Sequence, residues 1–201
     1  MAMQISAEVR PQAGDALLIV DVQRDFLPGG SLPVPAGDEV VAPLNDWVRR
    51  FTLARQPIYA TRDWHPPDHC SFREQGGQGG QGGIWPSHCV AGTPGAEFAP
   101  TLVLPATVCL VSKATLPEAD AYSGFAGTDL DAQLRYAAVR RLFVGGLATD
   151  YCVLNTVNDA LRQGYEVVLL LDAMRAVNVH AGDGERALAA MLAAGAATLK
   201  G

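Results

Sequence analysis

Residues 16–22, ALLIVDV, decide the fold of this chain. They form a short apolar run that ends at the carboxylate of Asp21, which is typical of a strand buried on both faces of a sheet. Similar short runs recur at residues 57–61, 108–112, 142–144, 166–171 and 197–199. Helical patterns lie between several of them, at residues 38–51, 151–163 and 182–194. This alternation predicts an α/β fold: a doubly wound, mainly parallel sheet of about six strands with helices on both faces.

The first predicted helix has recognisable start signals. Asp38 precedes the apolar positions of this helix and is a residue type that often caps a helix N-terminus. Pro43 is compatible with the helix only in its first turn, where its missing N–H costs nothing. We therefore expect Asp38 to cap this helix.

Length and composition indicate one globular domain spanning residues 1–201. The chain is 49 % hydrophobic and 18 % charged, which excludes a disordered protein. Its net charge of −6 argues against nucleic acid and against an anionic membrane as partners. No apolar run approaches the roughly 18 residues of a membrane span, and no export signal is visible, so we expect a cytoplasmic protein with free thiols. The sequence leaves open whether the protein forms a homo-oligomer.

One segment interrupts the alternation of strands and helices. Residues 74–84 contain a Gly/Gln-rich tract, with six glycines between positions 76 and 83. Such a composition cannot build a packed core, so we expect a flexible surface loop within the single domain. An inert insert and a working lid over a site are both open interpretations.

Polar side chains follow the predicted strands at the points where they end. Asp21 ends the first strand, Asp63 and His65 follow the second, and Lys113 follows the third. Cys152 comes after the fourth, at the start of a predicted helix. Ligands of open α/β sheets bind beyond the carboxyl ends of the strands. We therefore expect these side chains to meet at one edge of the sheet and to form a site.

Cys152 is the candidate nucleophile of this site. The positive end of a helix dipole and the free N–H groups there favour a thiolate and can receive an oxyanion. Lys113 would favour the thiolate further, and Asp21 could accept the thiol proton. No histidine lies near Cys152 in the sequence to form a Cys–His pair. The alternative is that Cys152 is a small buried hydrophobic residue.

Three of the four histidines indicate a metal centre. His65, His69 and His88 fall within 24 residues, together with Asp63. In an extended segment Asp63 and His65 point to the same side. Imidazole and carboxylate ligands suit one divalent ion, such as zinc, iron or manganese, and open positions suit catalysis. The alternative is a structural zinc site that adds the cysteines next to His69 and His88.

The order of the motifs along the chain resembles the nicotinamidase/pyrazinamidase branch of the isochorismatase-like cysteine hydrolases. The resemblance runs from about residue 16 to residue 173. It rests on five stretches: IVDVQRDFLPGGSLPV at 19–34, TRDWHPPDHCSF at 61–72, WPSHCVAGTPGAEF at 85–98, KATLPEADAYSGF at 113–125 and GLATDYCV at 146–153. Several such motifs in the family's order make the resemblance highly specific.

The resemblance implies a role for each candidate residue. The implied catalytic triad is Asp21, Lys113 and Cys152. The implied oxyanion hole consists of the backbone amides of Ala148 and Cys152, next to a cis peptide bond at 147–148. The implied metal ligands are Asp63, His65 and His88, with His69 as an additional, variable ligand. The implied substrate-binding residues are Phe26, Trp85 and Tyr122.

The resemblance also implies a reaction. A metal-dependent cysteine amidohydrolase would convert nicotinamide to nicotinate and ammonia through a thioester on Cys152, as a step of NAD salvage, and pyrazinamide to pyrazinoate. One alternative is a cysteine amidohydrolase of the same superfamily that acts on a carbamoyl or ureido substrate. A vinyl-ether hydrolase of the isochorismatase type would leave Cys152 without a purpose. A non-catalytic metal- or thiol-binding module is the alternative from a different class.

Overall fold

A computed structural model describes residues 4–5, 10–74 and 83–199. Most of the predicted Gly/Gln-rich loop, residues 75–82, lies outside the described residues. The strands are β1 (Gln4–Ile5), β2 (Asp15–Val20), β3 (Ile58–Asp63), β4 (Cys109–Lys113), β5 (Arg141–Leu147), β6 (Glu166–Arg175) and β7 (Ala197–Leu199). The α-helices are α1 (Val41–Leu53), α2 (Leu130–Tyr136), α3 (Leu154–Arg162) and α4 (Asp183–Ala193).

The seven strands form one sheet in the order β1–β7–β6–β5–β2–β3–β4, and every pair of neighbouring strands is parallel. The predicted α/β fold is confirmed. The seventh strand is β1, whose two residues are too few to show a hydrophobic period. No helix in the described ranges is long and apolar enough to cross a membrane.

Strand β2 lies between β5 and β3 and is buried on both faces, which explains its continuous apolar run. Leu17 and Ile19 belong to the core on the side of α1. Leu18 and Val20 belong to the core on the other side, which is covered by α2, α3 and α4. All four side chains are fully buried, and each such burial contributes about 1.5–3 kcal/mol.

Helix α1 covers its face of the sheet with an aromatic cluster. Trp47 and Phe51 are one turn apart and pack on Phe143 of β5, with ring centroids 5.6 Å and 5.4 Å away. Pro43 is the third residue of α1 and lies in the first turn, as expected. The predicted cap is wrong, because Asp38 lies in a preceding 3-10 turn, Gly37–Val40, and makes no side-chain cap bond to α1.

The chain reverses its direction of travel across the sheet next to β2. It passes from β2 to β3 and β4 on one side, and then returns to β5 on the other side of β2. The carboxyl ends of β2 and β5 therefore flank a topological switch point, where such sheets bind ligands. Gly146 permits the close approach of these two strands: its φ is +129°, and a Cβ there would lie 2.1 Å from the carbonyl oxygen of Val20.

The opposite ends of β2 and β5 are joined by an ion pair. Arg141 donates from Nε and Nη2 to the two carboxylate oxygens of Asp15, both at 2.9 Å. Asp15 is buried, and its side chain also accepts the backbone N–H of Gln12 at 2.8 Å. A bidentate pair of this kind stabilises the register of the two central strands.

Candidate active site

The three residues of the predicted triad meet at the carboxyl ends of β2, β4 and β5. Lys113 Nζ lies 3.0 Å from Asp21 Oδ2 and 3.5 Å from Cys152 Sγ. The ammonium also forms a short ion pair with the carboxylate of Asp63 and donates to the carbonyl of Ala121 at 3.0 Å. One ammonium therefore lies between two carboxylates and the thiol.

The two oxygens of the Asp21 carboxylate have different partners. Thr61 Oγ1 donates to Asp21 Oδ1 at 2.6 Å. Asp21 Oδ2 keeps only the ion-pair contact with Lys113 and accepts no hydrogen bond of normal geometry from the described residues. A carboxylate oxygen of Asp21 lies within 4.8 Å of Cys152 Sγ. Asp21 thus has an acceptor available for the thiol proton.

Burial sets the protonation of the triad. Burial raises the pKa of Asp21, and the ammonium of Lys113 only partly offsets this. Burial also raises the pKa of the Cys152 thiol well above its ordinary value, against the lowering effect of Lys113. Burial alone would lower the pKa of Lys113, but the charges of Asp21 and Asp63 raise it well above its ordinary value. Burial therefore favours the neutral thiol of Cys152, whereas the neighbouring carboxylates favour the charged form of Lys113.

Cys152 lies in a short turn that leads from β5 into α3. The turn, Thr149–Val153, is π-helical, and the preceding peptide bond, Leu147–Ala148, is cis. Asp150 connects this turn to the loop after β6, since its carboxylate accepts the backbone N–H groups of Val177 at 2.9 Å and Asn178 at 2.8 Å. Helix α3 begins at Leu154, two residues after Cys152, so the thiol is at the N-terminal end of a helix, as predicted.

Three of the four predicted metal ligands are brought together. One ligand atom from each of Asp63, His65 and His88 lies within 4.8 Å of the others, and all three side chains are buried. His65 Nδ1 bonds to the carbonyl of His88 at 3.0 Å, and His88 Nδ1 bonds to the carbonyl of Pro86 at 2.8 Å. A carbonyl oxygen can only accept a hydrogen bond, so each neutral imidazole carries its proton on Nδ1. The lone pair on Nε2 is then available to bind a metal ion.

The charge state of this cluster also suits a metal ion. Burial lowers the pKa of His65 to about 3, and burial lowers the pKa of His88 as well. Both imidazoles are therefore neutral near pH 7, and only the neutral ring binds metal. Two imidazoles and one carboxylate, with further positions open, fit a catalytic divalent ion.

His69 lies beside the cluster without joining it. Its Nδ1 is 2.8 Å from Ser71 Oγ, and its Nε2 is 3.2 Å from the carbonyl oxygen of Ala119. Both ring nitrogens therefore have protein partners, although the ring centroid is only 4.4 Å from that of His65. The cysteines next to His69 and His88 take no part in the metal-compatible clusters of the described residues.

The predicted aromatic residues line a cavity that reaches the nucleophile. The cavity has an empty volume of about 450 Å³ including its open mouth, and it is lined by Phe26, Trp85, Tyr122, Cys152 and the three clustered metal-ligand candidates, among others. Trp85 Nε1 donates to Tyr122 Oη at 3.0 Å. The sequence interpretation missed Tyr151, whose ring centroid is 5.0 Å from that of Trp85. Tyr151 directly precedes Cys152 in the sequence, and this position could have indicated that its ring lies at the site.

Left-handed backbone occurs at or next to site residues in three loops. Asp21 has a φ of +48°, Cys89 next to His88 has +46°, and Ala114 next to Lys113 has +53°. Such φ values are uncommon for residues other than glycine and are concentrated at functional sites. Nothing in the local sequence predicted them.

The chain as a whole is similar to known proteins of one family. The family model described as "Isochorismatase domain" matches residues 15–200. The chain is 40 % identical over 196 residues to a nicotinamidase of Escherichia coli (strain K12), covering 90 % of this chain and 92 % of that protein. It is 38 % identical over 170 residues to a nicotinamidase/pyrazinamidase of Mycobacterium tuberculosis (strain ATCC 25618 / H37Rv), covering 81 % and 87 %.

A solved structure shows the same similarity. The pyrazinamidase of Pyrococcus horikoshii in complex with zinc superposes with a TM-score of 0.87 at 48 % identity, covering 94 % of this chain and 99 % of that chain. The sheet topology, the group of polar residues at its switch point and the match over residues 15–200 together show that this chain belongs to the isochorismatase-domain family.

Proposed function

We propose that this chain is a nicotinamidase, which hydrolyses nicotinamide to nicotinate and ammonia and converts pyrazinamide to pyrazinoate in the same way. One observation carries the proposal: the thiol of Cys152 and the imidazole–carboxylate cluster line the same aromatic cavity. The E. coli and M. tuberculosis relatives named as nicotinamidases support it. The reaction recovers a pyridine carboxylate for NAD salvage, and the cytoplasmic location remains a prediction from the sequence.

Asp21 and Cys152 carry out the proton transfers of the proposed mechanism. Asp21 takes the thiol proton as Cys152 Sγ attacks the amide carbonyl, and Lys113 stabilises the negative charge that develops. The protonated Asp21 then gives its proton to the departing ammonia, and the C–N bond breaks to leave a thioester. Asp21 next takes a proton from a water molecule as its oxygen attacks the thioester; the C–S bond then breaks to release the acid, and Asp21 returns the proton to the sulfur of Cys152.

The backbone is proposed to stabilise the tetrahedral oxyanion. We assign this role to the N–H groups of Ala148 and Cys152, at the two ends of the turn that holds the nucleophile. Fixed backbone donors are effective here because they need no reorganisation as the charge forms.

The metal and the aromatic side chains are proposed to select the substrate. Asp63, His65 and His88 would hold one divalent ion, and His69 stays outside this set because both its ring nitrogens have protein partners. When bound, the ion supplies a Lewis-acid site for the nitrogen of the pyridine ring. Phe26, Trp85 and Tyr122 form walls for a flat ring, and aromatic pairs add about 0.5–1.5 kcal/mol each.

The test is ammonia release from nicotinamide by the purified protein, with and without a chelator, beside a Cys152→Ala variant. A Cys109→Ala variant, which alters a half-buried thiol on β4, is the matched control. We expect release that requires both Cys152 and metal and that tolerates Cys109→Ala.

Other outcomes would contradict the proposal in different ways. Activity retained in Cys152→Ala would refute covalent catalysis. No release from nicotinamide, with a thiol that still alkylates readily, would favour carbamoyl or ureido substrates instead. Metal binding without release from any amide would favour a binding module.

A further inference from the structure

Strand β2 ends before its neighbour β3, and this leaves two backbone groups of Asp63 without a strand partner. The last paired residues of the two strands are Val20 and Thr61, and the N–H of Asp21 still bonds to the carbonyl of Thr61. The chain then leaves the sheet at Asp21, where φ is +48°. Strand β3 continues to Asp63, whose backbone N–H and C=O face the side that β2 has left, since Trp64 is the residue that bonds to β4.

The side chain of Gln23 replaces the missing strand. Its Oε1 accepts the N–H of Asp63 at 2.8 Å, and its Nε2 donates to the carbonyl of Asp63 at 2.8 Å. A carboxamide has the same donor and acceptor arrangement as a peptide group, so it extends the β2–β3 ladder by one step. The second proton on Nε2 goes to the carbonyl of Ala96 at 2.9 Å. Gln23 is fully buried, so water does not compete for these bonds.

Asp63 is the residue that most needs a defined backbone position. Its carboxylate contacts the ammonium of Lys113 on one side and lies with His65 and His88 on the other. A small rotation of the Asp63 backbone would move the carboxylate away from one of these partners. Groups that orient metal ligands in this way typically change metal affinity by about 10–100-fold when they are removed.

We propose that Gln23 is a positioning residue that holds Asp63 in the orientation required for metal binding. This inference rests on the proposed metal site. The hydrogen bonds of the Gln23 amide go to backbone groups of Asp63 and Ala96, and Gln23 does not line the cavity, so it acts through the backbone of Asp63. Its role also explains how β2 can end early, which brings Asp21 and Phe26 to the site, without leaving buried polar groups of β3 unpaired.

The test is the dissociation constant for zinc, measured by competition with a chromogenic chelator, for the full chain and its variants. Gln23→Met keeps the length of the side chain without its donor or acceptor, and Gln23→Asn keeps an amide that is too short to reach Asp63. The matched control is Gln56→Met, because Gln56 lies just before the other end of β3. Val48→Ala, on the buried face of α1, controls for loss of stability alone.

We expect both Gln23 variants to bind zinc at least 10-fold more weakly than the parent, and both controls to bind within two-fold of it. Zinc affinity within two-fold of the parent in either Gln23 variant would overturn the inference. Failure of both Gln23 variants to fold in the presence of zinc would also count against it, since Gln23 would then serve the fold as a whole.

An Asp63→Asn variant separates this inference from the proposed function. If the parent binds no zinc, or if Asp63→Asn binds it as tightly as the parent, the proposed metal site fails. If the parent binds zinc and Asp63→Asn does not, the behaviour of the Gln23 variants tests the positioning role alone.

Discussion

The ammonium of Lys113 lies 3.0 Å from Asp21 Oδ2, and neither side chain has any exposure to solvent. Buried charges are stable only when they are paired, and Lys113 also contacts the carboxylate of Asp63. The site therefore depends on one ammonium to balance two carboxylates. Burial raises the pKa of the Cys152 thiol and so disfavours a further negative charge beside this group.

In the metal-free protein, replacing Lys113 by Met should leave the two buried carboxylates of Asp21 and Asp63 without a counter-charge. We expect loss of turnover and a decrease of about 3–5 kcal/mol in the free energy of unfolding near pH 8, measured by urea denaturation. Burial already raises the pKa of Asp21, and removing the cation raises it further. A carboxyl group with a raised pKa in the folded state destabilises at high pH and is relieved by protonation as the pH falls.

The Lys113→Met variant should therefore lose less stability, relative to the parent, at pH 5 than at pH 8. The parent measured at both pH values provides the reference. An equal loss at the two pH values would show that the carboxylates are not the source of the destabilisation.

The hydrogen bond from Thr61 to Asp21 should tune the proposed general base. This bond lowers the pKa of Asp21 against the larger effect of burial, so Thr61→Val should raise that pKa. The carboxylate form of Asp21 would then be lost at a higher pH, and the acid limb of the kcat/KM profile should shift upward. Thr52→Val, on the exposed face of α1, is the matched control. An unshifted acid limb with reduced kcat would assign that limb to another group.

The two neighbouring histidines should differ in their effect on metal binding. His65→Ala removes a member of the buried cluster, and we expect it to lose zinc and to raise the KM for nicotinamide. His69→Ala removes a ring whose nitrogens are already bonded, and we expect its zinc dissociation constant to change by less than about five-fold. Equal losses of zinc in the two variants would make His69 a fourth ligand. An unchanged KM in His65→Ala would contradict the role of the metal in substrate binding.

The ion pair between Arg141 and Asp15 should contribute to stability without affecting catalysis. Arg141→Met leaves the buried carboxylate of Asp15 with one remaining donor, and we expect a loss of about 2–3 kcal/mol in the free energy of unfolding. Arg49→Met removes an exposed pair on α1 and should cause no measurable change. A kcat for nicotinamide that changes with Arg141→Met would show that the two ends of the sheet are coupled.

The elements of the fold could be predicted because they depend on local patterns. A strand buried on both faces must be apolar throughout, so residues 16–22 identify β2 without knowledge of its neighbours. Gly164, with a φ of +90°, ends the helix after Cys152 where the sequence places it. Elements without such patterns were missed, among them the two-residue β1 and the seven-residue α2.

The sequence by itself determined which chemical groups the strand ends carry: the acid of Asp21, the amine of Lys113 and the thiol of Cys152. Only the tertiary structure decided their order in the sheet, their distances and the direction in which their pKa values shift, because pKa values follow from burial and from neighbours distant in the chain. The position of His69 beside the group of Asp63, His65 and His88 and the pairing of Gln23 with Asp63 also depend on the tertiary structure. Hydrogen bonds between residues 40 positions apart leave no period in a sequence, since they depend on how two loops meet after the sheet has formed.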